Sequence, residues 1–343
     1  MKKVLFVHTK NDYTGSTRVL ANVIQEDYRD FDVTVIALGN DGLLSGIQNA
    51  KFISICNPLI NGKRIPYVSY IISAIHRIIL VSYYGLNSQI IYVNTILPYY
   101  AAIIARIYRK ELIYHIHEYF LNKTFRIFIA EFVFDNLKAR RIYVSEYLKS
   151  RYNHSSHCVD EIRRNRLSED FLKSIKVKPF EERKKNTILM VTSLSKAKGI
   201  DMFFSLAKEM SNYNFILVIS ASLKQIYDNF PNIPANLKIL PTQANLHPII
   251  YNSDLLLNLT NPNLAIETFG MTILEVMPYG IPAIVPNVGG PIELIVDGYN
   301  GYCVDVCDKN KIKNAINKVF SHDNYTIMCK NCLEHYDKLY AKK

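Results

Sequence analysis

Much is missing from these 343 residues, and each absence closes off a class of function. There is no clean apolar run of membrane-spanning length. The longest, Ile65 to Tyr84, carries His76 and Arg77 near its middle, and a central arginine costs a spanning helix a few kcal/mol. No secretory leader is expected, because Met1-Lys2-Lys3 leads into only Val4-Leu5-Phe6-Val7 before polar His8 to Asp12. Charged residues make up only 21% against 49% apolar, which excludes a disordered chain. No internal repeat or low-complexity tract is present. No helix-turn-helix, RNA-binding aromatic signature or finger spacing occurs, so nucleic acid is not expected as a partner. The reading is a cytoplasmic chain long enough for two domains.

Metal signals are equally thin. Of six cysteines, Cys329 and Cys332 form a C-x-x-C with Cys303 and Cys307 upstream. Cys303 falls where a strand should end, and no glycine knuckle frames either pair, so independent reduced thiols are expected. Asp30-Phe31-Asp32 is a D-x-D only in form, since it lies in a loop before a strand. Neither a metal nor a cofactor is expected.

Positive charge is abundant, and it is uneven. Residues 1–165 hold 21 Lys+Arg against 13 Asp+Glu, a net of +8, whereas residues 166–343 hold 20 against 17, a net of +3. That asymmetry points to an anionic partner for the first half, and an anionic membrane surface or a lipid pyrophosphate on it fits. Two segments, Ile65 to Tyr84 and Tyr99 to Tyr108, mix aliphatics, tyrosines and basic residues. They read first as helices covering a sheet, with a bilayer-facing surface as the alternative.

Short apolar runs alternate with helical stretches through the first half: Lys3 to His8, Val33 to Leu38, Ile90 to Val93, Leu112 to Ile116 and Arg141 to Val144. Between about Arg151 and Lys185 the pattern lapses into a charged stretch without periodicity. It resumes at Thr187 to Thr192, Phe215 to Ile219, Leu237 to Leu240, Leu255 to Leu259 and Ala283 to Val285. Two doubly wound parallel sheets are the simplest account, an α/β chain of two Rossmann-like units.

The most specific stretch is E-T-F-G-M-T-I-L-E from Glu267 to Glu275, followed by Y-G-I-P-A-I-V-P-N-V-G-G-P-I-E-L. Met271 to Met277 reads as the start of a helix stopped by Pro278, Gly280 and Pro282. Such a start offers backbone N–H groups to a phosphate, with one carboxylate before it and one two turns along. Three further places draw attention. Asn11 to Arg18, with Gly15, follows the first strand; Ser193 to Gly199, with Lys198, follows the strand at Thr187; and Tyr114-His115-Ile116-His117-Glu118-Tyr119 closes another strand.

Two acidic residues with seven between them, a Phe-Gly after the first and a later Gly-Gly-Pro-x-Glu resemble the donor site of family-4 retaining glycosyltransferases of the bacterial surface-polysaccharide type. The likeness is strong in the second half and loose in the first. It implies the GT-B architecture, two Rossmann-like domains facing a central cleft. The bounds expected are 1–165 for acceptor binding, 166–325 for the nucleotide sugar, and a helix over 326–343 that packs back toward the first domain. It implies that Glu267 contacts the transferred sugar and that His117 lies near the reacting carbon. Phe269, Gly270, Met271 and Thr272 would offer amides to sugar and phosphate, and Glu275 would hold the ribose hydroxyls. Gly15, Ser193 and Lys198 would line the donor diphosphate, and Arg18 would reach acceptor or phosphate. The family pattern has an arginine where this chain has Ser193, and two adjacent glycines where it has Gly15-Ser16. The expected partners are a nucleotide-sugar donor and a lipid-linked glycan acceptor, with the protein peripheral on the inner face of the membrane. A sugar-nucleotide epimerase and a non-catalytic sugar-nucleotide or glycan-binding scaffold are the rivals. Isomerisation without an acceptor would mark the first, and the absence of turnover the second.

Overall fold

The computed structural model describes residues 1–55, 66–321 and 324–340. Ile65, where the longest apolar run begins, and the last three residues of the tail lie outside the described residues. The chain divides into two compact units, Met1–Arg164 and Asn165–Lys343.

Among the described residues of the first unit, seven strands form one sheet: β1 (Lys3–Lys10), β2 (Asp32–Leu38), β3 (Ala50–Ile55), β4 (Ile90–Asn94), β5 (Glu111–Ile116), β6 (Arg140–Tyr143) and β7 (Val159–Ile162). Their order is β3-β2-β1-β4-β5-β6-β7, and all pairings are parallel. A parallel sheet is covered on both faces, which is why Leu5, Phe6, Val7, Ile91, Tyr92 and Val93 are completely buried. Helix α1 (Gly15–Asp27) follows β1. Helices α2 (Pro66–Leu86), α3 (Tyr99–Ile107) and α4 (Phe125–Asn136) lie side by side, α2 against α3 and α3 against α4.

The charged stretch between Arg151 and Lys185, where no strong periodicity was read, contains β7 and a short helix, Glu169–Lys173. Strand β7 escapes a periodicity reading because it is an edge strand of sequence Val-Asp-Glu-Ile. Its carboxylates have polar partners: Arg140 pairs with Glu161 at 2.9 Å, and His154 Nδ1 lies 2.8 Å from Asp160. The edge strand β3 also lacked a strong apolar run.

The second unit repeats the plan with β8 (Thr187–Ser193), β9 (Asn214–Ser220), β10 (Leu237–Leu240), β11 (Leu255–Leu257), β12 (Ala283–Pro286) and β13 (Gly301–Val304), in the order β10-β9-β8-β11-β12-β13. These pairings too are parallel. Strand β11 stops two residues short of the apolar run that suggested it. Asn258 folds its side chain onto Thr260, accepting from the Thr260 N–H at 3.2 Å and hydroxyl at 2.8 Å, and the chain turns out of the sheet. The tail helix Asn324–Tyr340 joins this unit's core through buried Tyr325, Met328, Cys329 and Cys332, and the Tyr325 hydroxyl donates to the Asp254 carbonyl at 3.1 Å.

Both sheets reverse their winding beside the first strand of each unit, between β1 and β4 and between β8 and β11. The carboxyl ends of strands at such a reversal leave a crevice that helices do not fill, and ligands of α/β sheets bind there. The helix Met271–Val276 and the 3₁₀ turn Met277–Tyr279 that follow β11 are clamped from behind by Arg183, which is 6% exposed. Its guanidinium donates to the carbonyls of Gly280 at 2.7 Å and Tyr279 at 2.6 Å, and to that of Lys178 at 3.3 Å. Charge-assisted bonds to buried carbonyls are among the stronger hydrogen bonds, and removing the donor leaves every acceptor unpaired. Arg183→Met is therefore expected to destabilise the second unit by about 3–5 kcal/mol. Urea unfolding followed by circular dichroism would show it, and a loss below about 1 kcal/mol would contradict this role for the clamp.

Candidate functional site

The candidate residues fall into one set in each unit, and each set lies at that unit's winding reversal. In the second unit, the loop after β8 carries Ser193 to Gly199 and the loop after β11 carries Asn258 to Gly270. The two loops are stitched together. The Asn261 N–H donates to the Ala197 carbonyl at 2.7 Å. Gly199 adopts φ +75°, and a Cβ placed on it would stand 2.2 Å from the Leu259 carbonyl oxygen. Only glycine permits that approach. The approach brings Lys198 Nζ to 2.8 Å from Glu267 Oε2, with Thr260 Oγ1 3.4 Å from the same oxygen.

Burial pushes the Glu267 carboxyl up, but the Lys198 ammonium beside it and hydrogen bonds from Lys198, Asn258 and Thr260 outweigh that effect and hold it below its ordinary value. Glu267 is thus a fixed carboxylate facing a fixed ammonium. The Gly-Gly-Pro segment anchors the loop from the other side. The Gly290 N–H donates to the Glu267 carbonyl at 2.8 Å, and a Cβ on Gly290 would meet the Thr268 oxygen at 2.0 Å. Phe269 is buried at 3% and Gly270 precedes the helix that opens with half-buried Met271 and Thr272. Glu275, 3% exposed, lies further along that six-residue helix, and its charge helps push the Tyr279 hydroxyl up, after burial. Ser193 closes β8, half-buried, in register with Ser220. The structure joins Lys198 directly to Glu267, while Ser193 supplies no cation to that pair.

In the first unit, His117 follows β5 and its Nε2 lies 2.9 Å from Asn94 Oδ1, at the end of β4. Asn94 Nδ2 in turn lies 3.1 Å from His8 Nδ1 and 3.4 Å from the Ser16 carbonyl, which brings the start of α1, with exposed Gly15 and half-buried Arg18, to the same place. The rings of His115 and His117 pack with centroids 4.2 Å apart, tilted by 46°. Burial first, and then the neighbouring His115 and His8, push the His117 imidazole well below its usual range. Burial drives His8 down to about 4 and His115 down to about 3. Glu118 moves the other way: burial raises its carboxyl to about 7 against hydrogen bonds from Thr95 and the His117 backbone.

Sequence reasoning passed over Asn94, Thr17, Asn258 and Thr260. For Asn94 a signal existed, an amide closing the wholly buried strand Ile90–Asn94. For Thr17 and Thr260 there was none, since nothing local marks them.

Against known proteins, residues 173–335 match the family described as glycosyl transferases group 1. Curated relatives match short stretches. Sucrose synthase 6 of Arabidopsis thaliana is 40% identical over 55 residues, 16% of this chain and 6% of that protein. The GDP-mannose-dependent alpha-mannosyltransferase of Corynebacterium glutamicum is 39% identical over 64 residues, 18% of this chain and 16% of that protein. The matched stretch is therefore a small part of those relatives' own length. Solved structures match throughout. Anabaena Alr3699/HepE, in complex with UDP and glucose, superposes with a TM-score of 0.80 at 19% identity, covering 98% of this chain and 95% of that one. Sucrose-phosphate synthase of Thermosynechococcus elongatus gives 0.77 at 13% identity, covering 99% and 95%. WaaG, a glycosyltransferase involved in lipopolysaccharide biosynthesis, gives 0.71 at 13% identity, covering 97% and 95%. The fold is that of the two-domain GT-B glycosyltransferases.

The Lys198–Glu267 geometry depends on the close approach at Gly199. Gly199→Ala is expected to destabilise the second unit by about 2 kcal/mol or more, because it adds both a left-handed strain and a clash with backbone. A thermal melt unchanged from wild type would contradict this.

Proposed function

We propose that this protein is a retaining glycosyltransferase of the family-4 type. In this reading it moves a sugar from a nucleotide-sugar donor to a lipid-linked glycan in bacterial surface-polysaccharide synthesis. The observation that carries the reading is the Lys198–Glu267 pair at the winding reversal of β8 and β11, inside the stretch that matches glycosyl transferases group 1. Glycosyl transfer needs a cation for the charge developing on the departing diphosphate, and a carboxylate to orient the sugar. Here they stand side by side. Lys198 faces the diphosphate, supported by the amides of Gly270, Met271 and Thr272, so that no metal is required. Glu267 takes the sugar hydroxyls and Glu275 the ribose. His117 lies against the sugar near the reacting carbon, and Arg18 reaches acceptor or phosphate. The leaving phosphate accepts the acceptor's proton as the new bond forms on the same face. A glycosyl adduct trapped on Glu267 would rule that out in favour of a covalent route.

HepE binds UDP and UDP-glucose, so UDP-sugars head a thermal-shift screen that also includes GDP-, ADP- and TDP-sugars. The true donor at about 100 times its Kd stabilises the native state by about 2.7 kcal/mol, a shift of several degrees. Turnover with that donor is expected to fall about 100-fold or more in Glu267→Ala and in His117→Ala. If no sugar nucleotide shifts the melt, or both variants keep wild-type turnover, the reading is wrong.

Peripheral attachment to an anionic membrane belongs to the same proposal. No helix among the described residues is long and apolar enough to cross a membrane. The adjacent helices α2, α3 and α4 nevertheless turn large apolar side chains outward: Ile75 at 53% exposure, Ile79 at 58%, Tyr83 at 64%, Ile107 at 68%, Phe128 at 60% and Phe132 at 61%. A contiguous face of this kind marks an interaction surface. Arg77, Arg106 and Arg126 on the same helices suit an anionic lipid partner, each contributing on the order of 1 kcal/mol near such a surface. Flotation with phosphatidylglycerol vesicles should carry the wild-type protein up, less so at high salt. Ile79→Asp with Phe132→Asp should stay at the bottom. Equal flotation of both proteins would contradict the assignment.

A further inference from the structure

Behind His117 the first unit holds a chain of polar side chains that the reaction as proposed does not use. It runs from Asp12 through Thr17, His8 and Asn94 to His117, and draws on the loop after β1, α1, and strands β1 and β4. Thr17 and Asn94 are completely buried and His8 is 2% exposed. We infer that this chain has one direction only, and that it sets which nitrogen of His117 carries the proton, making Thr17 and Asn94 positioning residues for the transfer reaction. The inference rests on the glycosyltransferase reading for the importance of His117, though not for the direction of the chain.

The direction follows from proton counting. Burial pushes the Asp12 carboxyl up, but the Thr14 hydroxyl and N–H, the Thr17 hydroxyl and the Lys10 charge outweigh it and keep the group ionised. A carboxylate only accepts, so the Thr17 hydroxyl, 2.7 Å away, must donate to it. That uses the one proton Thr17 has. His8 Nε2, 3.1 Å from Thr17 Oγ1, must therefore be the donor of that bond. A buried imidazole in its neutral form carries a single proton, so His8 Nδ1 is an acceptor. The atom of Asn94 facing it at 3.1 Å must then be the amide nitrogen. A second contact requires the same orientation: that nitrogen lies 3.4 Å from the Ser16 carbonyl, which can only accept. Asn94 therefore turns its oxygen toward His117, 2.9 Å from Nε2, and His117 must hold its proton there. Its Nδ1 is the acceptor nitrogen.

The consequence is chemical. A neutral ring with its proton on Nε2 can take a hydrogen bond at Nδ1 from a sugar hydroxyl, whereas the other tautomer would present a donor there. Cutting the chain at Thr17 removes the acceptor for His8 Nε2–H. The buried ring is then better satisfied as the opposite tautomer, donating from Nδ1 to a turned Asn94 amide that gives up its long 3.4 Å contact with the Ser16 carbonyl, and His117 takes its proton on Nδ1. A network that only filled space would transmit no such change.

The test uses the full-length protein with isotope-labelled histidine. Imidazole nitrogen shifts at neutral pH report the tautomer of each ring, with His117 assigned by its loss in His117→Gln. Wild type is expected to show a protonated Nε2 and an unprotonated Nδ1 on His117. Thr17→Val should move His117 toward the Nδ1–H form and lower kcat by about tenfold or more, with the donor KM within about twofold. Thr17→Ser should restore both. A proton on Nδ1 in wild type would overturn the inference even if Thr17→Val failed to fold. So would a Thr17→Val enzyme with a changed kcat but an unchanged His117 tautomer, or one with both unchanged. The tautomer is read without turnover, so an expected tautomer alongside a fully active His117→Ala would sink the role of His117 while leaving the direction of the chain standing.

Discussion

Lys198 and Glu267 stand 2.8 Å apart across the line where the second sheet reverses its winding, and much of the second unit is arranged to keep them there. This ammonium and carboxylate stay 29% and 20% exposed, so water competes for both, and fixed backbones help to keep them paired. Gly199 fixes one by pressing against Leu259, and Gly290 fixes the other by pressing against Thr268. Arg183 holds the turn behind the following helix. Residues scattered over more than a hundred positions therefore serve one small geometry. With no ligand bound, that geometry is a neutralised pair; a diphosphate competing with Glu267 for Lys198 would convert it into a binding site.

The first unit manages charge differently. Its histidines His8, His115 and His117 are all pushed toward the neutral form by burial, whereas Glu118 beside them is pushed toward the protonated form, to about 7. The three imidazoles thus carry little charge near neutrality, where the Glu118 carboxyl is partly protonated. The inferred direction of the hydrogen bonds among them starts at Asp12, the ionised end of the chain. The two units differ in chemistry: the second holds a pair of charges, and the first a set of buried neutral imidazoles.

Much of this was legible in the chain before any fold was known, for reasons that differ by element. Strands β1, β4, β8 and β12 are buried on both faces, so their apolar runs announce them. Glu267, Lys198 and His117 became candidates through the family resemblance, helped by their places in loops that follow strands. Strand β7 did not announce itself, because an edge strand of sequence Val-Asp-Glu-Ile needs partners such as Arg140, not an apolar run. The approach of Gly199 to Leu259 and the link from Asn94 to His8 join residues far apart in sequence, and no local pattern encodes such a meeting. Helices α2 and α3 were read first as covers for the sheet, with a bilayer-facing surface as the alternative. They are covers on one side, but a helix apolar all round does not say which side is left outward.

The central claim is that the donor diphosphate takes Lys198 from Glu267. Calorimetric titration of the nucleoside diphosphate matching the donor, without its sugar, into wild type, Lys198→Ala and Glu267→Gln tests it directly. The account predicts that Lys198→Ala weakens binding about tenfold or more, on the order of 1.4 kcal/mol, whereas Glu267→Gln leaves it unchanged or tighter because the lysine no longer has a competitor. Equal weakening in both variants, or none in Lys198→Ala, would contradict it.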